Sequence, residues 1–251
     1  MSNDIKESFE KTRLAGSIAS AALDEVEKII KPGITTKEID NLCYEFINDH
    51  DAYSAPLFYR GFPKSCCTST NHVVCHGIPS DKVLNKGDIL NVDVTAYKGG
   101  WHGDTSRMFE VGKTSIKAKK LIKITHEAMM KAINILKEGV QLGDIGSTIQ
   151  EHVEANGFSV VQDFCGHGIG KSFHEEPSVL HYGKKGTGDR LKAGMIFTIE
   201  PMINTGNYQT KTLNDGWTAV TKDKSLSAQF EHTVGITKDG YEIFTQSKKI
   251  S

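Results

Sequence analysis

Three short stretches of this chain recur, in order, about a hundred residues further along. Lys31-Pro32-Gly33-Ile34 is echoed by Lys137-Glu138-Gly139-Val140, His76-Gly77-Ile78 by His167-Gly168-Ile169, and the run from Leu84 to Asp93 by the run from Leu191 to Glu200. The offsets are 106, 91 and 107 residues, the short middle one reflecting a longer loop in the first half. Two copies are too few for a solenoid, where each repeat buries its neighbour's face. The pattern instead implies a single domain over 1–251, with pseudo-symmetric halves at about 1–110 and 111–251 and no polar linker between them. It also sets Asp93 in correspondence with Glu200, and His76 with His167. Acidic strand ends from both halves are therefore expected to meet at the centre.

Each copy reads as helix, helix, strands. Leu14, Ile18, Ala22, Val26 and Ile29 recur at helical spacing until Lys31-Pro32-Gly33 stops the run. Thr35, with Glu38 three residues on, forms a capping box that opens a second helix through Ile39, Leu42, Phe46 and Ile47. The second half repeats the series with a helix from Ala118 to Lys137, another through Ile145, Ile149 and Val153, and a strand from Met195 to Glu200. The expected fold class is α+β, a pseudo-twofold duplicated α-α-β unit with a central antiparallel sheet.

The last strand of the first half begins a hairpin. Leu90, Val92, Val94 and Ala96 share one face, Asn91, Asp93 and Thr95 the other, and Lys98-Gly99-Gly100 follows. A turn at Lys98-Gly99 sets Asp93 directly opposite Asp104. A turn at Gly99-Gly100 slips the pairing by two residues and still leaves both carboxylates on one face. Like charges so placed repel and need a compensating cation, for which a bound divalent metal is the natural candidate.

Composition removes several classes of function. Charged residues make up 24% of the chain and nearly cancel, at net −1, so no basic field draws it to nucleic acid or to membrane surfaces. No apolar run reaches the length of a membrane span, and the start, Met1 to Glu7, is acidic where a signal peptide is basic and then apolar. The five cysteines (Cys43, Cys66, Cys67, Cys75 and Cys165) contain no CxxC pair. Neither a disulfide framework nor a thiolate zinc site is indicated, and a reducing cytoplasm is the expected compartment.

Glu200 and Glu231 lie inside apolar runs, Met195 to Ile203 and Ala228 to Val234, where a carboxylate is costly unless it meets a cation. His167 sits among Gly166, Gly168 and Gly170, where the backbone can approach a ligand closely. Four carboxylates and one imidazole suit Mn²⁺, Fe²⁺ or Co²⁺ better than a thiolate zinc centre. Sharing a carboxylate between two ions about 3.5–4 Å apart is a common dinuclear hydrolase arrangement.

Seven stretches carry a family likeness: Cys75-His76-Gly77-Ile78-Pro79, Asn91-Val92-Asp93-Val94-Thr95, His102-Gly103-Asp104-Thr105, Gly166-His167-Gly168-Ile169-Gly170, Phe173-His174-Glu175-Glu176-Pro177, Thr198-Ile199-Glu200-Pro201-Met202 and Glu231-His232-Thr233. With them the chain resembles the methionine aminopeptidases of the bacterial type I class over nearly its whole length. Only 30 residues separate Glu200 from Glu231, which leaves no room for the large insertion of type II. The resemblance implies the pita-bread (creatinase/aminopeptidase) fold and two divalent ions (Co, Mn, Fe or Zn) held by Asp93, Asp104, His167, Glu200 and Glu231. It implies catalytic roles for Glu200, His174 and His76, with His76 and His174 also binding substrate. The methionine pocket would comprise Tyr59, Phe62, Cys67, Phe173 and Trp217, and a monovalent cation would lie near Asn71, Val73 and Ser227. Phe62 stands where the family often has Tyr, and Pro56 where some members have Cys; neither touches the ligand set.

The implied activity is removal of the initiator methionine from nascent proteins and peptides with a small second residue. A metal-bridging hydroxide would attack the first peptide bond. The implied partners are nascent amino termini near the ribosome exit, with no specific nucleic acid and no membrane, and the implied state is a monomer. Xaa-Pro peptidases of the same fold keep the same ligand types but usually carry an additional amino-terminal domain. Non-catalytic relatives lose ligands, whereas all five are present here. His50, His72, His102, His126, His152, His181 and His232 read as ordinary surface or core histidines. Gly166 to Ser172 is not a phosphate loop, because its first glycine would fall at Cys165.

Overall fold

The computed structural model describes residues 2–247. Helix α1 (Asn3–Ile29) is capped by the Ser2 side chain, and α2 (Thr36–Asp49) opens on the capping box between Thr35 and Glu38. Such a cap contributes about 1 kcal/mol. Four strands follow through the loop region and into the hairpin: β1 (Tyr53–Ser54), β2 (Cys67–Thr70), β3 (Val73–Cys75) and the long β4 (Ile89–Lys98). The hairpin returns as β5 (Trp101–Glu110).

The second half runs α3 (Ile116–Asn134), α4 (Leu142–Ala155), then β6 (Ser159–Val160), β7 (Gly166–Gly168), β8 (Glu175–Val179), β9 (Ile196–Ile199) and β10 (Met202–Asn204). It ends with β11 (Thr210–Thr212), β12 (Ala219–Thr221), β13 (Ser227–Gln229), β14 (Glu231–Ile236) and β15 (Tyr241–Ile243). Helix α3 begins two residues earlier than the apolar spacing suggests, because Ser115 caps it, and it stops at Asn134 before the turn leading to Gly139.

The main sheet is antiparallel throughout, in the order β1-β4-β5-β14-β9-β7-β8, with β2 added beside β4 and β15 beside β14. Its midline is the β5–β14 pair, where Ser106 faces Glu231 and Thr105 faces His232. Each half covers one face of its own strands with its own helices. Leu23, Val26 and Ile39 pack on Leu90, Val92, Val94 and Phe109 in one core; Leu121, Met129, Ile145 and Ile149 pack on Phe197 and Val234 in the other. The helices therefore take the apolar face of β4, and the period of two leaves Asn91, Asp93 and Thr95 on the opposite face. α1 lies so close to β5 that a Cβ at Gly103 would stand 2.2 Å from the Gly16 nitrogen.

The hairpin turns at Gly99-Gly100, both at positive φ, so Lys98 pairs with Trp101. Asp93 consequently faces Ser106 and Asp104 faces Thr95. The two aspartates are diagonal rather than opposite, and they share a face.

One of the three sequence echoes does not translate into equivalent positions. β3, which leads into His76, pairs with β12 in a small separate sheet, whereas β7, which carries His167, pairs with β8 and β9 in the main one. The strand beside β4 is β2, as the strand beside β9 is β7. His76 is therefore no topological partner of His167; a shared His-Gly-Ile tripeptide is too short to fix strand order.

Candidate metal centre

Asp93 and Asp104 come from the hairpin, His167 from β7, Glu200 from just past the end of β9, and Glu231 from the start of β14. All five line one cavity of about 360 Å³. Ligand atoms of Asp104, His167 and Glu231 lie within 4.8 Å of one another. His167 Nε2 is 3.9 Å from Asp104 Oδ2 and 3.6 Å from Glu200 Oε1.

The neighbours of these groups hold them in place. Thr95 donates its hydroxyl proton to Asp104 at 2.7 Å, and Thr198 donates to Glu200 Oε1 at 2.7 Å. Thr198 Oγ1 also accepts the His167 N–H at 3.0 Å, so one hydroxyl ties two of the five residues together. Gln229 approaches Glu200 Oε2 from the other side at 3.3 Å. His167 donates Nδ1–H to the Gly168 carbonyl at 3.0 Å, which leaves Nε2 unprotonated and turned toward the carboxylates.

The glycines around His167 answer to strand packing rather than to a ligand. A Cβ at Gly166 would stand 2.4 Å from the Thr198 carbonyl oxygen, and one at Gly168 would stand 2.1 Å from that of Glu176. Neighbouring strands close in on the backbone at both positions.

The electrostatics of the cluster are one-sided. Glu231 is 2% exposed, Asp104 5% and Glu200 8%. Among the described residues no Lys or Arg nitrogen comes within 4.0 Å of the four carboxylates. Burial pushes Asp104 up to about 7 and Glu200 up to about 8. Burial and the surrounding acids hold Asp93 and Glu231 well above the ordinary carboxylate range. Burial takes His167 down to about 4, so its imidazole is neutral at physiological pH. Crowded buried carboxylates without an organic cation, facing a neutral imidazole nitrogen, are the donor set of a divalent metal site.

Above the cluster the cavity is aromatic. Tyr59, Phe62, Cys67, His76, Phe173, His174 and Trp217, the substrate residues implied by the sequence, all line it. Phe62 meets Trp217 edge-on at 5.2 Å, and His76 lies edge-on to Trp217 at 6.2 Å and to Phe164 at 5.5 Å. Tyr59 stacks on His174 at 5.1 Å, its hydroxyl 3.1 Å from His174 Nδ1. His76 is held at φ +56°, a strained setting for a non-glycine residue, and Gly77 follows because a Cβ there would meet the Thr68 carbonyl oxygen at 2.2 Å.

Phe164, Cys165 and Met202 also line the cavity but went unassigned from sequence. Each adjoins a motif that was singled out, Gly166-His167 or Glu200-Pro201, and that adjacency is the signal that could have found them. The structure also brings Asn71 and Ser227 together, away from the cavity. The Ser227 N–H donates to the Asn71 carbonyl at 2.8 Å, while the Ser227 hydroxyl is buried with no partner among the described residues; Val73 opens the neighbouring strand β3.

Fold and donor set together define a metal-dependent hydrolase, and comparison with known proteins is specific. Residues 10–238 match metallopeptidase family M24. The chain is 58% identical over 242 residues to a methionine aminopeptidase of Rickettsia prowazekii, covering 96% of this chain and 93% of that protein. It is 53% identical over 244 residues to the Escherichia coli K12 methionine aminopeptidase, covering 96% and 92%. The crystal structure of the Rickettsia prowazekii enzyme superposes with a TM-score of 0.95 at 57% identity, over 96% of this chain and 98% of that one. A prolidase from Pyrococcus furiosus, at 24% identity and TM-score 0.77, shares the fold, with this chain covering 65% of it.

The chain belongs to metallopeptidase family M24, within the branch formed by the bacterial methionine aminopeptidases. Its fold is the pita-bread fold of that family, and family membership implies divalent metal as cofactor. Among the described residues no helix is long and apolar enough to cross a membrane.

Proposed function

We propose that this chain removes the amino-terminal methionine from nascent proteins and peptides whose second residue is small. The observation that carries the proposal is the convergence of five metal-type donors at the base of a cavity whose walls are aromatic and apolar. Asp93, Asp104, His167, Glu200 and Glu231 would hold two divalent ions, Mn, Fe, Co or Zn. Bound there, such ions would lower the pKa of water toward roughly 7 and so make a nucleophile available at neutral pH.

The protein's own groups divide the remaining work. Glu200, buried beside the other four donors, is the proton carrier between the nucleophilic water and the departing amine. The free α-amino group of the substrate is drawn to the carboxylate cluster, which restricts cutting to the first bond. Burial and its imidazole neighbours hold His174 neutral. The Tyr59 hydroxyl, 3.1 Å from Nδ1, can donate to it, and in that arrangement the His174 proton lies on Nε2, free to donate to the scissile carbonyl oxygen as it gains negative charge. His76, kept neutral by burial, faces the scissile amide from the other wall and assists the leaving nitrogen.

Tyr59, Phe62, Cys67, Phe173 and Trp217 would receive the methionine side chain, whose thioether gains from dispersion and sulfur–aromatic contacts. A monovalent cation near Asn71, Val73 and Ser227 would meet the buried Ser227 hydroxyl, which has no partner among the described residues. The protein would work as a cytoplasmic monomer on nascent amino termini near the ribosome exit.

The test is methionine release from Met-Ala-Ser by protein reconstituted with Mn²⁺, Fe²⁺, Co²⁺ or Zn²⁺, compared with an Xaa-Pro peptide. Release from Met-Ala-Ser alone is the expected result. No release with any of the four ions, or turnover of the Xaa-Pro peptide only, rejects the proposal.

A further inference from the structure

His181 follows β8 in the run Val179-Leu180-His181-Tyr182, and its side chain has no solvent exposure. It lies outside the cavity lining, and nothing in its sequence context marks it as functional. Its Nε2 stands 3.2 Å from the backbone nitrogen of Glu200. An N–H can only donate, so Nε2 is the acceptor and the imidazole proton sits on Nδ1. That Nδ1–H is buried with no partner among the described residues.

A buried imidazole with one unsatisfied N–H is costly, and a leucine or phenylalanine would fill the same space without that cost. What the histidine supplies, and an apolar residue would not, is an acceptor for a single N–H. The backbone of Glu200 is where one is needed. β9 ends at Ile199, the last residue of its ladder with β14, and Pro201 has no N–H to offer. At Glu200 the chain leaves the main sheet and enters β10 of a small one. Thr198 and Gln229 fix the two carboxylate oxygens of Glu200. Neither fixes its main chain.

We propose that His181 is a positioning residue. It anchors the Glu200 main chain through the N–H to Nε2 bond, and so aims the Glu200 carboxylate at the other four donors. The inference rests on reading Glu200 as a metal ligand, and its test is separable from the peptidase reading because it begins with the metal alone.

Calorimetric titration with Mn²⁺ and steady-state turnover of Met-Ala-Ser are compared for the wild type, His181→Leu and His181→Gln, with thermal melting as the control for folding. His181→Leu is expected to bind the ion about 10–100-fold more weakly and to lose kcat in similar proportion, with KM within about twofold of wild type. His181→Gln, whose Oε1 can accept the same N–H, is expected to recover most of both. A Leu variant with wild-type metal affinity and kcat, changed only in melting temperature, overturns the proposal. So does a folded Gln variant as impaired as Leu. Should the Leu variant not fold, imidazole ¹⁵N NMR of the wild-type protein decides: the Nδ1–H tautomer at His181 is expected, and the Nε2–H tautomer overturns the proposal. Absence of methionine release by the wild type would refute the peptidase reading while leaving the metal titration of His181 interpretable.

Discussion

Thr198 donates its hydroxyl proton to Glu200 Oε1 at 2.7 Å while accepting the backbone N–H of His167 at 3.0 Å. One side chain, itself fully buried on β9, thereby ties the Glu200 carboxylate to the backbone of His167 on the adjacent strand β7. Thr198→Val keeps the shape and removes both bonds. It should lower metal affinity and kcat by roughly 10–100-fold, the usual range for partners that orient ligands. It should also cost about 1–3 kcal/mol of stability by leaving the His167 N–H unsatisfied. Calorimetry with Mn²⁺, turnover of Met-Ala-Ser and a denaturant melt measure the three.

Without metal, the cluster opposes folding as pH rises. An acid whose folded-state pKa exceeds its unfolded value supports the fold fully below the unfolded value, and that support disappears as pH rises through the folded one. Glu200 moves from 4.5 to about 8 and Asp104 from 3.8 to about 7, so the loss runs from about pH 4 to about pH 8. Buried His181 and His232 act in the other direction. Both move from 6.5 down to about 3, so their contribution is lost as pH falls through that window. In EDTA, calorimetric melting should therefore peak near pH 5–6 and fall by pH 8.5, and saturating Mn²⁺ should remove the alkaline fall. Metal-free Tm that climbs from pH 6 to pH 8.5 would contradict this.

Asp93→Asn separates stability from function at the same site. Burial and the acids around it hold Asp93 well above its ordinary range, so the neutral amide relieves repulsion in the metal-free protein. At pH 8 in EDTA the variant should melt above wild type. With Mn²⁺ it should gain less than wild type and lose at least about 100-fold in kcat, as removal of a ligand costs more than loss of an outer partner.

Trp217 meets Phe62 edge-on at 5.2 Å and closes the aromatic wall of the cavity. Trp217→Ala removes apolar surface and a sulfur–aromatic contact, together about 2–3 kcal/mol, so kcat/KM for Met-Ala-Ser should fall roughly 30–150-fold. A peptide starting with norleucine, which lacks the sulfur, should lose less than the methionine peptide does on the same substitution.

Much of this was legible in the residues themselves. Apolar spacing located the four α-helices of the described residues, and the Thr35–Glu38 pair located a helix start to the residue. The alternation through Asn91, Asp93 and Thr95 identified the face that becomes the cavity wall. What pattern could not decide was geometry set by contacts distant in sequence. Whether the hairpin turned at Lys98-Gly99 or Gly99-Gly100 depended on which pairing β4 makes with β5 along ten residues. The glycines beside His167 read as room for a ligand, but they make room for the Thr198 and Glu176 carbonyls of the flanking strands. His181 read as an ordinary histidine because its one informative contact is to a backbone nitrogen 19 residues away. Local patterns such as a capping box report bonds to nearby main chain, but none reports a bond to main chain that distant.

The central claim is that both halves of the fold supply donors to one pair of ions. Anomalous diffraction from crystals soaked in Mn²⁺, recorded near the manganese edge, tests it most directly. Two peaks are expected, each bounded by carboxylates from among Asp93, Asp104, Glu200 and Glu231, with one of them also against His167 Nε2. Peaks elsewhere, or none among these five side chains in protein that still releases methionine, would contradict it.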